Sequence, residues 1–455
     1  MTRSAPRGRG RSAGHAGGRR RPEPAADGPL LGAELELDVG PVAHGGHCVA
    51  RYEGRVVFVR HALPGERVTA LVTEDRGGAF CRADAVTVHT PSPDRTAPPC
   101  PYAGPGRCGG CDWQHATPAA QRRIKAAVVR EQLERLGGLT AAEIDALGFG
   151  AVSEVEELPG GPLGWRTRVQ FAVDRNGVAG LRRHRSHEVI PVESCPIAVP
   201  AVNEVGVTAL PWPGVAAVEV VASSDGDRAV VVTPQEGAGR ATPPALPDGV
   251  AVLDAGGRPP ARPVQGHARV REHAADRTWL VHADGFWQVH PAAAQTLVDA
   301  VRDALAPQPG ESLLDLYSGA GLFAGALAPL VGPDGTVVTI ESGRSAVGDA
   351  RRNLRDLPQV RIEQGRVEVV LRRLGLGSVD LVVLDPTRSG AGTAVVREVA
   401  ALRPRAVAYV ACDPAALGRD VRTFGELDYR LAALRAFDAF PMTHHVECVA
   451  TLVRS

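Results

Sequence analysis

The 455-residue sequence contains almost no lysine: of its 51 lysine and arginine residues, only Lys125 is a lysine. Arginine therefore carries nearly all of the positive charge, which 51 acidic residues balance to a net charge of +0. The sequence also lacks an apolar run of roughly 18 residues, and its N-terminus lacks the apolar core of a signal peptide. With 44% hydrophobic residues, the chain is neither wholly disordered nor embedded in a membrane. We expect a cytoplasmic protein of roughly two to four domains.

Three of the eight cysteines are clustered in the sequence. Cys100, Cys108 and Cys111 have the spacing C-x7-C-x2-C, and in a cytosolic chain such clustering indicates metal or redox chemistry rather than disulfides. Three thiolates can share one metal ion or cluster but need a fourth ligand. Cys195 is the best candidate because proline follows it, as proline follows Cys100. Zinc and an iron–sulfur cluster both fit this pattern.

The composition changes along the chain and divides it into four parts. Residues 1–28 contain seven arginines among small and turn-forming residues, which predicts a disordered basic tail that either contacts phosphates or is merely solvated. Residues 29–90 alternate in about five short strands, typical of a small, OB-like β-barrel. Residues 91–285 form an α+β central domain that holds the cysteine cluster. Residues 286–455 alternate strands and helices, which predicts a doubly wound parallel α/β sheet.

Two segments of the central domain are rich in basic residues. The pattern over residues 118–138 predicts an amphipathic helix ended by glycines, whose basic side fits RNA contact or simple solvation equally well. A hairpin is predicted around Asn176–Gly177. Its arginines, with those beside it, form a candidate phosphate-contacting surface made of Arg166, Arg168, Arg175, Arg182, Arg183 and Arg185.

The segment DLYSGAGLF, residues 315–323, has the order strand, glycine turn and helix. Glycine lets the backbone approach a nucleotide-like ligand closely. The following strand, TVVTIE, ends at Glu341, about 20 residues beyond the turn, where an acid can accept hydrogen bonds from ribose hydroxyls. This predicts a site for S-adenosylmethionine or a dinucleotide. The residues expected at the carboxyl ends of the strands are Tyr317, Glu341, Asp385 and Cys412.

The chemistry at these strand ends favours uracil. Cys412 lies between a strand and a helix, and the helix N-terminus is expected to stabilise its thiolate. The segment after Asp385, PTRSG, lacks both the aromatic residue expected for amine methylation and a second cysteine typical of cytosine-directed enzymes. Glu447 follows a Pro-x-Thr-His-His turn and is either a base that removes a proton from carbon or an ordinary surface acid.

Taken in order over residues 30–455, these motifs resemble the RNA uridine C5 methyltransferase family, in the class that carries a TRAM barrel and an iron–sulfur cluster. The segment HGGHCVARYEGRVVFVRHALPGERV resembles the TRAM barrel, and FWQVH resembles the family's F-x-Q-x-N segment. The resemblance implies S-adenosylmethionine as methyl donor, Cys412 as nucleophile and Glu447 as base. It implies cofactor contacts by Gln288, Tyr317, Glu341 and Asp385. It also implies a [4Fe–4S] cluster held by Cys100, Cys108, Cys111 and Cys195.

Four positions depart from the family pattern, one of them Ala411, which stands where the family has serine. Asp413, His290 and Leu322 stand where the family has asparagine, and Leu322 removes a side-chain hydrogen bond near the cofactor. Because the nucleophile, base and cofactor acid remain, we expect an active, monomeric methyltransferase acting on uridine C5 in RNA, with 23S ribosomal RNA as substrate. The alternatives are a transfer RNA enzyme and a non-catalytic RNA-binding protein with a degenerate methyltransferase domain.

Overall fold

The computed structural model describes residues 28–150, 153–237, 242–257 and 259–455. The predicted basic tail therefore lies outside the described residues, except for Gly28. Within the described part of the chain, no helix combines the length and apolar character needed to cross a bilayer.

The described strands and helices follow one another from Glu34 to Arg454. The strands are β1 Glu34–Asp38, β2 Cys48–Tyr52, β3 Arg55–Arg60, β4 Arg67–Asp75, β5 Phe80–Thr90, β6 Glu156–Glu157, β7 Arg168–Val173, β8 Ala179–Arg182, β9 Val189–Pro191, β10 Val215–Ala222, β11 Arg228–Pro234, β12 Val250–Asp254, β13 Arg262–Gln265, β14 Arg269–Ala274, β15 Arg277–His282, β16 Ser312–Leu316, β17 Thr336–Glu341, β18 Val360–Gln364, β19 Leu381–Leu384, β20 Ala406–Ala411, β21 Tyr429–Asp438 and β22 Glu447–Arg454. The α-helices are α1 Pro118–Gln132, α2 Ala141–Ala146, α3 Pro200–Asn203, α4 Ala293–Leu305, α5 Leu322–Val331, α6 Arg344–Asn353, α7 Val367–Leu374, α8 Gly392–Ala401 and α9 Pro414–Gly425.

The first five strands form a barrel. Their order is β1-β4-β5-β3-β2, and the segment after β1 closes the sheet, because Gly40 donates to the carbonyl of Val49 and Val49 donates to that of Pro41. Alternate side chains along β1 and β4 point into a core that includes Leu35, Leu37 and Val68. The predicted small barrel is confirmed.

The central sheet has seven strands in the order β13-β12-β11-β10-β7-β8-β9, and β14 pairs with β15 in a separate hairpin. The predicted hairpin around Asn176–Gly177 joins β7 to β8, with Asp174 accepting hydrogen bonds from the backbone of Asn176 and Val178. Arg168 was predicted to contact phosphate, and this prediction is wrong. Its side chain is 6% exposed and donates to the carbonyls of Ala283 and Gly285.

The last sheet has eight strands in the order β18-β17-β16-β19-β20-β22-β21-β6. Strands β16 to β20 are parallel, and β22 runs antiparallel between β20 and β21. Separate hydrophobic clusters cover its two faces: α8 and α9 contribute to one, and α4 and α5 to the other. This is the predicted doubly wound architecture, and it brings the carboxyl ends of the parallel strands to one edge.

Three elements that precede residue 286 pack against this last sheet or its helices. Helix α1 contacts α9, and β6 pairs with β21. The β14–β15 hairpin contacts α6, and Trp279 from it is fully buried in the same cluster as Phe323. The domain boundaries at residues 90 and 285 therefore stay predictions.

Candidate active site

The carboxyl ends of the parallel strands, which were predicted to carry the site, lie side by side. Leu316 of β16 pairs with Ile340 of β17 and with Leu384 of β19, and Leu384 pairs with Tyr409 of β20. Because the strands are parallel and in this register, Tyr317, Glu341 and Asp385 lie at the same edge. The structure thus brings these three predicted residues together.

The turn after β16 is built around backbone that most residues avoid. Tyr317 has a φ of 64° and Gly321 a φ of 92°, both in the left-handed region where side chains are strained. A Cβ at Gly321 would also lie 2.7 Å from Leu354. The turn aims the amide of Gly319 at the Oε2 atom of Glu341, 3.1 Å away, and Gly343 donates to the Oε1 atom. The Glu341 carboxylate is therefore held in place before any ligand binds.

Two buried polar atoms beside this turn have no partner among the described residues. They are Asp315 Oδ1 and Ser318 Oγ. Asp315 is 0% exposed, and its other oxygen accepts a hydrogen bond of 2.9 Å from the amide of Ala324. Buried polar groups are normally satisfied, so orphaned atoms at a nucleotide-type turn indicate a missing polar ligand. The turn therefore fits a nucleoside-bearing cofactor.

Burial also changes the acidity of the carboxyls at this edge. Desolvation raises the pKa of Asp315 to about 7, with a further contribution from the charge of Glu341. Desolvation and the charge of Asp315 raise the pKa of Asp385 to about 7 as well. Near neutral pH the two carboxyls therefore stand close to the midpoint of their titration, where a bound cation would favour their ionised forms.

The register of two antiparallel strands brings Cys412 to Glu447. Ala411 at the end of β20 pairs with Cys448 of β22. Because the two strands are antiparallel, continuing this register sets Cys412, which follows Ala411, opposite Glu447, which precedes Cys448. On its other side Glu447 pairs with Phe437 of β21. Glu447 is 4% exposed, and desolvation followed by the charge of Asp385 raises its pKa well above the usual range. Glu447 is thus a buried carboxyl beside a thiol rather than an ordinary surface acid.

The local surroundings of Cys412 are as predicted, but their expected electrostatic effect is not. The Asp413 side chain caps α9 by accepting from the amide of Ala416 at 2.8 Å, and Pro414 is in the first turn. The helix N-terminus was expected to favour the thiolate. Instead, desolvation, followed by Glu447 and Asp385, raises the pKa of Cys412 to about 12. Burial and the neighbouring carboxyls thus disfavour the thiolate.

Arg388 is a functional candidate that the sequence analysis missed. Its charge lowers the pKa of both Cys412 and Glu447 and so opposes the larger effect of burial. It lines the small cavity in front of Cys412. The signal was present in the segment PTRSG after Asp385, but that segment served only to exclude other methylation targets.

The wall of this cavity includes a loop of the barrel. The cavity has a volume of about 80 Å³ and is lined by residues 43–46 as well as by Cys412 and Arg388. His44 Nε2 lies 3.0 Å from Asp413 Oδ2, and the indole of Trp113 donates to the carbonyl of Gly46 at 3.1 Å. Asp413, one of the departures from the family pattern, thus connects the barrel to the helix that follows Cys412.

The four predicted cluster ligands line one cavity of about 410 Å³. In the described ranges, however, no three His, Cys, Asp or Glu side chains are close enough to hold a metal ion. The sulfur ligands of a zinc ion lie only about 2.3 Å from it and hence close to one another. Cys100, Cys108, Cys111 and Cys195 thus line a shared cavity, but as described they do not form a group that could hold a metal ion.

The remaining predicted cofactor residue belongs to none of the parallel strands. Gln288 is 8% exposed and belongs to the segment between β15 and α4, which Thr167 holds through the carbonyl of Val289. His290, where the family has asparagine, stacks on Trp165, and its Nε2 atom lacks a partner among the described residues. Leu322, which also stands where the family has asparagine, is 7% exposed within the core that includes Phe323.

Comparison with known proteins agrees with these features. Residues 30–86 match the TRAM domain, and residues 270–455 match the tRNA (Uracil-5-)-methyltransferase family. An uncharacterized RNA methyltransferase of Streptomyces coelicolor is 56% identical over 428 residues, which cover 93% of each chain. The 23S rRNA (uracil(1939)-C(5))-methyltransferase RlmD of Alkalilimnicola ehrlichii is 34% identical over 92% of this chain and 96% of its own. The chain belongs to the RNA (uracil-5-)-methyltransferase family.

Membership in this family decides between the two cofactor classes that the glycine turn left open. The cofactor of this methyltransferase is S-adenosylmethionine. A similar solved structure is the tRNA (uracil-54, C5)-methyltransferase of Pyrococcus abyssi in complex with S-adenosyl-L-homocysteine. It has a TM-score of 0.66 and 22% identity, and it covers 91% of this chain and 99% of its own. At that identity the likeness concerns the fold. The methyltransferase is an enzyme with an RNA substrate.

Proposed function

We propose that this methyltransferase transfers a methyl group to C5 of a uridine in 23S ribosomal RNA through a covalent adduct between Cys412 and C6. The observation that carries the proposal is the strand register that sets Cys412 opposite Glu447 at the cofactor edge of the sheet. Nucleophile and base are thereby presented to the two neighbouring carbons, C6 and C5, of one base. A base inside a helix cannot reach this small cavity, so the target uridine must be flipped or single-stranded.

Uracil C5 is too weak a nucleophile to take a methyl group unaided. In the proposed mechanism the Cys412 thiolate forms a bond to C6, and the electron pair of the C5–C6 double bond makes C5 enolate-like. C5 then accepts the methyl group that S-adenosylmethionine supplies. Glu447 removes the C5 proton, the electron pair restores the double bond, and the bond to Cys412 breaks with release of the thiolate. The uridine product carries one methyl group in place of one proton.

The same edge of the sheet supplies a set of residues for the cofactor. Glu341 would accept hydrogen bonds from the ribose hydroxyls, since its carboxylate is already fixed by two backbone amides. Tyr317, Asp385 and Gln288 complete the proposed contacts. The orphaned oxygen of Asp315 supports a polar ligand at this turn.

We also propose that Cys100, Cys108, Cys111 and Cys195 hold a [4Fe–4S] cluster. The thiolates of such a cluster bind different irons and so stand farther apart than those around one ion. The proposal is supported by the four cysteines' lining one cavity.

The covalent step is tested with Cys412→Ala and with RNA that carries 5-fluorouridine at the target. Wild-type enzyme should form an adduct with the fluorinated RNA that survives denaturing electrophoresis, because fluorine cannot leave as a proton. The Cys412→Ala variant should form no adduct and transfer no methyl group from tritiated donor. Full activity of Cys412→Ala would eliminate the mechanism.

The proposal that the substrate is ribosomal RNA is independent of the proposed chemistry. It is supported by the full-length similarity to a 23S ribosomal RNA enzyme and by the combination of a TRAM barrel with the cysteine cavity. Mapping 5-methyluridine in ribosomal and transfer RNA from a deletion strain tests it. Loss of the modification from transfer RNA alone would assign the enzyme to that substrate. A wild-type protein that binds RNA but transfers no tritiated methyl group to bulk RNA would be the non-catalytic alternative.

A further inference from the structure

The chain's one lysine is buried beside the segment that carries the base. Lys125 lies on α1, and its side chain is 0% exposed. Its Nζ atom is 2.5 Å from Asp438 Oδ1 and donates a hydrogen bond of 3.0 Å to the carbonyl of Phe440. The partner carboxylate of Asp438 is 5% exposed. The two charges therefore form an ion pair that is almost completely removed from water.

A pair of this kind is a poor way to gain stability. Both groups lose their hydration, and apolar residues of similar size frequently stabilise such a site as well or better. Desolvation correspondingly lowers the pKa of Lys125. The compact ammonium group, however, has three donors and can fix a carboxylate and a carbonyl at once. We infer that the Lys125–Asp438 pair serves to fix the positions of the groups it bonds.

The groups that Lys125 holds lie next to Glu447 in the sheet. Asp438 directly follows Phe437, which pairs with Glu447 across the β21–β22 ladder. Phe440 begins the turn that reverses the chain from β21 to β22. Lys125 therefore connects α1 to the backbone on the immediate flank of the base.

A second side chain of α1, which lies one helical turn before Lys125, bonds to the same chain reversal between β21 and β22. Gln121 is 0% exposed, and its Oε1 atom accepts a hydrogen bond of 2.8 Å from the amide of Met442. Trp113 and Asp112, from the cysteine segment, also bond this turn: Trp113 donates to the carbonyl of Met442, and Asp112 accepts from the amide of His444. Within this set Lys125 supplies the charged contact nearest to β21.

We propose that Lys125 is a positioning residue for Glu447. By fixing Asp438 and Phe440, it holds the end of β21 that pairs with Glu447. The Glu447 carboxylate then faces C5 of the adduct when the proton must leave. The proposal rests on the proposed role of Glu447 as base. It concerns the last chemical step alone, since bond formation at Cys412 and methyl transfer both come before proton removal.

The order of steps gives Lys125→Met a distinctive outcome. With ordinary uridine RNA and S-adenosylmethionine, the variant should accumulate a methylated covalent adduct stable to denaturing electrophoresis. Its turnover should fall by about tenfold to a hundredfold, as expected for a base displaced by about 1 Å. Its kcat/KM for RNA should stay within about twofold of wild type, because the slowed step follows the irreversible transfer of the methyl group. Trapping by 5-fluorouridine RNA, which needs no base, should proceed within about twofold of the wild-type rate.

Three further variants make the result decisive. Glu447→Gln must accumulate the same adduct; if it does not, the role of Glu447 as base fails and this proposal fails with it. Lys125→Met/Asp438→Asn removes the uncompensated charge, so it should raise the melting temperature above that of Lys125→Met without restoring turnover. Arg135→Met, which removes a surface pair with Glu131, is the matched control and should behave as wild type.

Two outcomes would overturn the positioning role while leaving the base intact. One is adduct accumulation by Glu447→Gln together with a Lys125→Met variant that loses fluorouridine trapping and turnover in equal measure, since that would indicate general misfolding. The other is wild-type turnover in Lys125→Met/Asp438→Asn, since Lys125 would then serve only to neutralise Asp438.

Discussion

Removal of the Glu341 carboxylate should weaken binding of S-adenosylhomocysteine by about two orders of magnitude. The carboxylate is preorganised by the amides of Gly319 and Gly343, and the two ribose hydroxyls would donate to it. A hydrogen bond to a charged group contributes about 1.5–3 kcal/mol. Two such bonds at the lower value give about 3 kcal/mol, which corresponds to a roughly 150-fold increase in Kd.

The assay is calorimetric titration of Glu341→Ala with S-adenosylhomocysteine. Glu341→Gln keeps one oxygen acceptor and should lose only about tenfold. The matched control is Glu363→Ala on the neighbouring strand β18, whose carboxylate pairs with Arg361 and Arg373; its Kd should be unchanged. A Kd for Glu341→Ala within threefold of wild type would refute the assignment of Glu341 to the ribose.

Two further predictions concern the remaining charges and the cysteines. The pKa values of Asp315 and Asp385 are both raised to about 7, so these carboxyls ionise as the pH rises from 6 to 8. Binding of cationic S-adenosylmethionine should then strengthen relative to neutral S-adenosylhomocysteine and release protons, which calorimetry in buffers of different ionisation enthalpy measures; a ratio independent of pH would contradict the raised pKa values. Anaerobically purified protein should contain about four irons per chain, with absorbance lost in a Cys108→Ser variant; zinc without iron would refute the cluster.

The parts of the site that could be predicted from sequence are those fixed by local geometry. A strand followed by a glycine turn places Tyr317 at a strand end whatever the rest of the chain does. The length of the intervening helix then places Glu341 at the next strand end. Asp413 and Pro414 likewise specify the start of α9 through backbone preferences alone.

The parts that could not be predicted depend on contacts between distant segments. Sequence alone gives Cys412 a helix N-terminus but not the buried carboxyls around it, so the expected fall in its pKa is reversed. Arg168 is the residue type expected at a phosphate contact, yet its guanidinium is buried and donates to two carbonyls inside the protein. Lys125 and Asp438 are 313 residues apart in the sequence, and the sequence around neither residue predicts the contact.

A loop of the barrel lies beside the two groups proposed to carry the chemistry. Burial disfavours the thiolate of Cys412, and burial also raises the pKa of Glu447. A carboxylate whose pKa is raised holds a proton more strongly, once it has taken it, than an exposed one does. The barrel loop, residues 43–46, forms one wall of the cavity at Cys412 and is tied to it through His44 and Asp413. The barrel loop thereby covers Cys412, whose thiolate is disfavoured by burial, and the charge of Arg388 opposes that effect of burial.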